Sequence, residues 1–417
     1  MIEGYFLLKY RLALLLPPLP WLLLLLAGWS LAQPGALLEV SDTGTLSGGQ
    51  VDARVGGRFR TNGEAAPSAA TAVDTYVIRY RSTWPNGEPA EITAQLFVPQ
   101  QIADPANLLV FAPGSTGLVE ACAPSRPFVE NGSFETYNAY TLAFAGQGFV
   151  ALMPNYMGFF DVGTIQPYFD RIAEGRALLD GIRATSSALE QLGVSAEPLP
   201  AFVAGYSQGG HAAFAAADLH ARYAPETALA GVVGFGPTTI MSSLFLEFTF
   251  VAPWVLHSYA TFQPDRIDPA AILTEPYLSR LESDAERLCI LGAQSYYPAG
   301  PDTLFRPEFT AALRNETLAR EFPRVAELFA ENDAGLAGHG LPAIILQGVD
   351  DPVVHIESQH DFVARLCEDG SPVRYPNYLR TRHETRYIGF RDAIGWMRDL
   401  SSGRPAPSDC ADVPAQP

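Results

Sequence analysis

Five apolar runs, each only four or five residues long, recur through the chain at Leu108–Ala112, 149–153, 201–204, 231–235 and 343–346, each soon followed by glycine or proline. A half-exposed strand alternates apolar and polar residues. Uninterrupted runs of this length suit strands covered on both faces, as in a mostly parallel sheet. Helical patterns lie between them. Residues 169–192 place Ile172, Leu178, Ile182 and Leu189 at helical spacing before Gly193, and 211–223 is alanine-rich. Further patterns at 358–366 and 391–400 complete the alternation, which predicts a three-layer α/β sheet with right-handed crossovers.

Ahead of these runs, residues 73–81 alternate, and Pro89–Pro99 follows with Ile92, Ala94, Leu96 and Val98 on one face. The turn Pro85-Asn86-Gly87 between them predicts a strand pair. Residues 33–72, rich in small residues with little periodicity, read as an extended N-terminal lead. One interval breaks the alternation. About a hundred residues separate the run at 231–235 from that at 343–346, far more than an ordinary connection, so 240–338 is expected to be a largely helical cap inserted between two core parts, 73–239 and 339–400. Its aromatic stretch from Leu244 to Trp254 suits either an apolar binding surface or the cap's own packing face. A proline-rich tail, 401–417, ends the chain.

Acidic residues number 45 against 27 basic ones, a formal charge of −18, which argues against nucleic-acid binding. A 48% hydrophobic content is far from the composition of disordered chains. Lys9 and Arg11 precede an apolar run over 12–28, and Ser30-Leu31-Ala32 before Gln33 has the small-x-small pattern of a signal-peptidase site. Residues 1–32 therefore read as a signal peptide cleaved near Ala32, placing the mature protein in the periplasm or outside the cell. An uncleaved membrane anchor is the alternative. Pro17, Pro18 and Pro20 interrupt the run, which is shorter than the ~20 residues a spanning helix needs, and no second such run follows. Four cysteines, Cys122, Cys289, Cys367 and Cys410, suit disulfides in an exported chain, and none has CxxC spacing for zinc. Three pairings are possible. Cys122–Cys289 with Cys367–Cys410 is preferred, the second tying down the tail. Sequons begin at Asn131 and Asn315.

The chemistry centres on Gly205-Tyr206-Ser207-Gln208-Gly209-Gly210, which follows the apolar run at 201–204 and precedes the alanine-rich helix. This is a G-x-S-x-G in the strand–turn–helix setting that gives it meaning. The turn exposes the serine hydroxyl, the glycines remove side chains that would collide with backbone, and the helix points its positive end at developing negative charge. A serine needs a base, and the base a third group to orient it. In the fold that uses this motif the chain order is serine, acid, histidine. Asp351 in Gly348-Val349-Asp350-Asp351-Pro352 is the candidate acid, preferred to Asp350, which reads as a solvated or supporting carboxylate. His383, after the candidate last strand 373–379, is the candidate base. His355 and His360 lie too near the acid or on a helix, and His211, one turn past the serine, reads as a packing or supporting residue. The backbone N–H groups of Gln208 and of Ser115, in Pro113-Gly114-Ser115-Thr116-Gly117, are candidate oxyanion donors.

With these residues assembled, the chain resembles the α/β-hydrolase superfamily, in particular its lipases and esterases of the secretory-lipase type. The resemblance rests on residues 113–117 with Cys122-Ala123-Pro124-Ser125, on Met153-Pro154-Asn155-Tyr156-Met157-Gly158, on 205–213, and on the acid loop and His383. It implies hydrolysis of lipid-like or small carboxylic esters, no cofactor or metal, and a cap that shapes the acyl pocket, and it supports the Cys122–Cys289 pairing. Two positions depart from the family pattern: Pro113 stands where histidine is common and Asn155 where aspartate is frequent. A serine peptidase or acyltransferase on the same scaffold, or a binding protein without chemistry, are the competing readings, since the triad does not reveal the acyl acceptor.

Overall fold

The computed structural model describes residues 33–126, 134–160, 163–194 and 199–413. The segment read as a signal peptide and the Asn131 sequon lie outside the described residues; Asn315 lies within them and is exposed. The apolar runs become strands of one ten-stranded sheet: β1 (Leu37–Leu46), β2 (Val73–Thr83), β3 (Pro89–Pro99), β4 (Leu108–Ala112), β5 (Val150–Pro154), β6 (Ala201–Tyr206), β7 (Leu229–Phe235), β8 (Ala343–Gly348), β9 (Val373–Arg374) and β10 (Asn377–Tyr378). The order is β1-β2-β3-β5-β4-β6-β7-β8-β10, with β9 also pairing β8. From β5 onward all neighbours are parallel, and β1, β2 and β3 add an antiparallel edge. Successive residues of β4 show why its run is continuous: Leu108, Val110 and Ala112 pack into the core on one face, Leu109 and Phe111 into that on the other.

Six helices flank the sheet: α1 (Gly48–Thr61), α2 (Phe134–Gly146), α3 (Arg171–Gln191), α4 (Gln208–Tyr223), α5 (Ile356–Glu368) and α6 (Phe390–Ser401). Between β7 and β8 the chain instead forms a series of short helices, from Met241–Glu247 to Pro323–Asn332, with a hydrophobic core of their own around Phe245, Trp254, Phe309 and Phe329. Leu244, Phe250 and Val251 are buried in that core, as a packing face requires. The Cys122–Cys289 disulfide joins this helical region to the loop after β4, and Cys367–Cys410 fastens the tail to the end of α5. Among the described residues no helix is long and apolar enough to cross a membrane.

Two expectations are corrected. Residues 33–72 are more than an extended lead: β1 pairs along β2, and α1 packs Val51, Val55 and Phe59 onto the sheet. Ser47 caps α1 through a reciprocal bond with Gln50, and Phe59 meets Tyr387 and Phe390 edge to face. The local signal was weakened by Gly48, Gly49, Gly56 and Gly57, which lower intrinsic helix preference and are overridden here by burial. Likewise the strand expected over 373–379 is broken. Tyr375 gives its N–H to the Asp409 carboxylate, and Pro376 has none to give, so only two two-residue strands remain.

Candidate active site

Ser207 sits between β6 and α4 with φ 55° and ψ −116°, a backbone region a serine occupies only at a cost in strain. Three glycines permit the turn. A Cβ on Gly205 would collide with the Gly209 carbonyl, one on Gly209 with the Ala112 carbonyl, and one on Gly210 with Pro237. The elbow is further held by the Ser207 N–H donating to Phe235 O at 3.1 Å.

The candidate acid follows β8. Asp351 is buried, its Oδ1 accepting the N–H groups of Val353 and Val354 at 2.8 and 3.0 Å and its Oδ2 accepting Gln347 Nε2 at 3.3 Å. Its Oδ2 also lies 2.9 Å from His383 Nδ1. Asp350 is exposed and gives its backbone N–H to Thr381 O, which docks the histidine loop on the acid loop. Gly348 makes that docking possible, since a Cβ there would strike the carbonyls of Thr381 and Arg382. A carboxylate on Nδ1 selects the tautomer that leaves Nε2 able to accept a proton. His383 Nε2 has no hydrogen-bond partner among the described residues, and His383 and Ser207 line the same cleft of about 520 Å³.

Ser115 lines that cleft as well, its hydroxyl 2.6 Å from the Tyr168 hydroxyl. A Cβ on Gly114 would press on the Tyr137 hydroxyl and the Tyr206 ring, so the residue before Ser115 has to be small. Gln208 opens α4 with its side chain buried against Gln166 and Glu174. The two departures from the family pattern find partners. The Pro113 carbonyl accepts Tyr156 Oη at 2.6 Å, and Asn155 Nδ2 donates to Thr93 and Ser125 hydroxyls at 2.9 and 2.8 Å. Phe248, Phe250, Ile290 and Leu291 from the helical insertion give the cleft an apolar wall. A larger cavity, about 750 Å³, lies between the β2–β3 turn and the helical insertion beside Trp84 and Phe262 and is lined by none of these groups. Among the described residues no group of three or more His, Cys, Asp or Glu is arranged to hold a metal ion.

Two residues of the site escaped the sequence. Gly236, at φ +50°, ends β7 beside the histidine, and a Cβ there would lie 3.2 Å from His383 Nδ1 and 3.4 Å from Asp351 Oδ2. Its only signal was the Gly-Pro pair at 236–237. Arg386 is buried against Tyr206, its guanidinium 4.1 Å from that ring's centre and bonded to Glu384. Burial acts to lower its pKa, but Glu384 and the surrounding tyrosines raise it well above the ordinary value, so it stays charged. The Tyr206 ring in turn packs 4.9 Å from His383, linking the serine turn to the histidine loop. Apart from His211, the remaining histidines serve elsewhere: His220 bonds Thr227 O, His257 pairs with Glu286, His339 accepts the Leu341 N–H, His355 faces Glu247, which accepts its backbone N–H, and His360 packs edge-on to Tyr375.

A mostly parallel sheet with a strained serine at the β6–α4 turn defines an α/β-hydrolase. The family described as "Secretory lipase" matches residues 136–282. Lipase A of Arthroderma benhamiae is 26% identical over 368 residues, spanning 81% of this chain and 72% of that protein. A probable inactive lipase of Mycobacterium tuberculosis is 24% identical over 391 residues, spanning 91% and 81%. Among solved structures, a mutant of the rice cell wall degrading esterase LipA from Xanthomonas oryzae superposes with a TM-score of 0.72 at 16% identity, over 88% of this chain and all of that one. The chain is similar to the secretory lipases over that segment and shares the α/β-hydrolase fold, and its likeness to lipases and esterases makes it a carboxylic ester hydrolase.

Proposed function

We propose that this ester hydrolase works through a Ser207–His383–Asp351 triad and an acyl-enzyme intermediate. Ser207 Oγ attacks the ester carbonyl carbon while His383 Nε2 takes its proton. The tetrahedral oxyanion is held by the backbone N–H groups of Gln208 and Ser115. Collapse expels the alcohol, which receives the proton from His383, and water then repeats the sequence to release the acid. Asp351 holds the imidazole in one tautomer and stabilises the imidazolium as it forms. The observation that carries this reading is the 2.9 Å His383–Asp351 contact, with Nε2 left unpartnered in the cleft that Ser207 lines. The presence of all three groups favours catalysis over the inactive state named for the mycobacterial relative. We further propose that residues 240–338 act as a cap whose Phe248 and Phe250 contact the acyl chain, and that the chain is exported with residues 1–32 removed, as the family description supports.

The test is Ser207→Ala assayed on p-nitrophenyl esters of short to long acyl chains, with fluorophosphonate labelling of the wild type. Loss of turnover in the variant and labelling at Ser207 are expected. Retained turnover would overturn the assignment, and preferential cleavage of peptides or transfer to added alcohols would move the chain to another acyl-transfer class.

A further inference from the structure

Behind the serine turn lies a second histidine–carboxylate pair that the mechanism does not use. His211, on α4, is fully buried, with Nδ1 2.5 Å from Glu174 Oε2 and Nε2 2.6 Å from the backbone carbonyl of Asn332. Both neighbours are acceptors. A neutral imidazole carries one N–H and can satisfy only one of them, whereas the imidazolium donates to both. Glu174 in turn accepts from three donors: its Oε1 takes Gln208 Nε2 at 2.7 Å and the Phe169 N–H at 3.1 Å, and its Oε2 takes His211. Asn332 ends the helix Pro323–Asn332, where unpaired carbonyls and the helix dipole favour a cation.

We propose that His211 is held as an imidazolium and that the His211–Glu174 pair is a positioning device: it clamps the Gln208 side chain behind the oxyanion position and ties the last helix of the insertion to the nucleophile helix α4. This rests on the triad reading only for its catalytic consequence. Gln208 links the clamp to the serine turn, because its amide is held by Glu174 and Gln166 while its own backbone N–H adjoins Ser207. The Gln166 amide reaches on to the Gly117 carbonyl, so the clamp also touches the loop carrying Ser115. The charged and titratable groups facing His211 are Glu174 and the helix-capping Asp170 on the α3 side, and Asp333 at the end of the insertion. Arg171 and Arg365 stand behind, facing Asp333. Burial alone would lower the imidazole's pKa, but Glu174, the Asn332 carbonyl and Asp333 together hold it above the ordinary value.

The experiment is nitrogen NMR on the full chain with ¹⁵N-labelled histidine, the His211 signals being those absent from His211→Gln. At pH 8 both ring nitrogens of residue 211 are expected at protonated shifts. A wild-type spectrum with one unprotonated nitrogen would overturn the proposal, whatever the variants do, and this readout is independent of whether Ser207 is the nucleophile. Glu174→Gln is the second arm. It should return one nitrogen to the unprotonated shift at pH 8, lower kcat about tenfold with KM changed less than twofold, and move the alkaline limb of the kcat profile to lower pH. An unchanged kcat and limb, in protein that still labels fully with fluorophosphonate, would refute the positioning role; loss of labelling together with turnover in Ser207→Ala would instead sink the triad.

Discussion

His383 and His211 are both buried or nearly so, and each has Nδ1 within hydrogen-bond distance of a buried carboxylate, Asp351 in one case and Glu174 in the other. They differ at the second nitrogen. His383 Nε2 stands unpartnered at the cleft, whereas His211 Nε2 is engaged by a main-chain carbonyl. A base must be able to gain and lose a proton, so it needs one nitrogen without a permanent protein partner. A structural cation must have both occupied. Proximity to the serine along the chain is a poor guide to which is which: His211 is four residues from Ser207, and His383 is far away in sequence.

The largest effect that could break this comparison is at the carboxylates. Asp351→Asn should lower kcat on p-nitrophenyl esters by about 10⁴-fold, because the amide favours the wrong tautomer of His383. The tenfold change anticipated for Glu174→Gln is three orders smaller. If the two losses were similar, the distinction between base and clamp would collapse.

A second contrast lies between the disulfides. Cys122–Cys289 closes a separation of 167 residues and binds the helical insertion to the loop carrying Ser115, where Ile290 N–H donates to Thr116 O at 2.9 Å. Cys367–Cys410 closes 43 residues at the tail. Loss of either, as paired serine substitutions, should cost roughly 2–5 kcal/mol in denaturant titration, and the longer loop should cost about 1 kcal/mol more. Only the first should also reduce kcat, because only it borders the cleft. Equal effects on activity would deny the insertion a part in shaping the site.

Gly236→Ala sharpens the contrast from the backbone side. Its Cβ would crowd the His383–Asp351 contact, on a residue already at positive φ, and should lower kcat about 10–100-fold with KM nearly constant. Unchanged kcat would show that the pair tolerates displacement and is not held to a narrow geometry.

The serine turn was legible in the sequence because its demands are local. Gly205, Gly209 and Gly210 lie within three residues of Ser207, and the apolar run and alanine-rich helix on either side gave the context. The position of Asp351, the proposed acid, could be read for a similar reason, since it stands just past a buried strand. What could not be read locally depends on contacts between distant segments. Gly236 matters because of His383, Gly348 because the backbone of 381–382 crosses it, and Arg386 because Tyr137, Tyr206 and Glu384 converge on it. The helix α1 was missed since four glycines hid a capping box and a buried stripe whose partners, Tyr140, Tyr387 and Phe390, lie from 81 to 331 residues beyond Phe59.

The smallest effect is a pH dependence of stability. His211 has a folded pKa above its ordinary value of 6.5, so its contribution is complete below that value and is lost as pH rises through the folded pKa. Asp333, pushed up to about 6 by burial, contributes in an earlier window, between its ordinary 3.8 and about 6, and has finished titrating by pH 7. Urea denaturation from pH 7 to 9 should therefore show wild-type stability falling, on the order of 1–2 kcal/mol for a histidinium at a helix C-terminus. His211→Gln should start lower and change less, so that the difference between the two curves narrows with pH. A difference independent of pH would mean that residue 211 packs without carrying charge, which would make it a filler beside Glu174 and leave His383 as the site's one ionisable histidine.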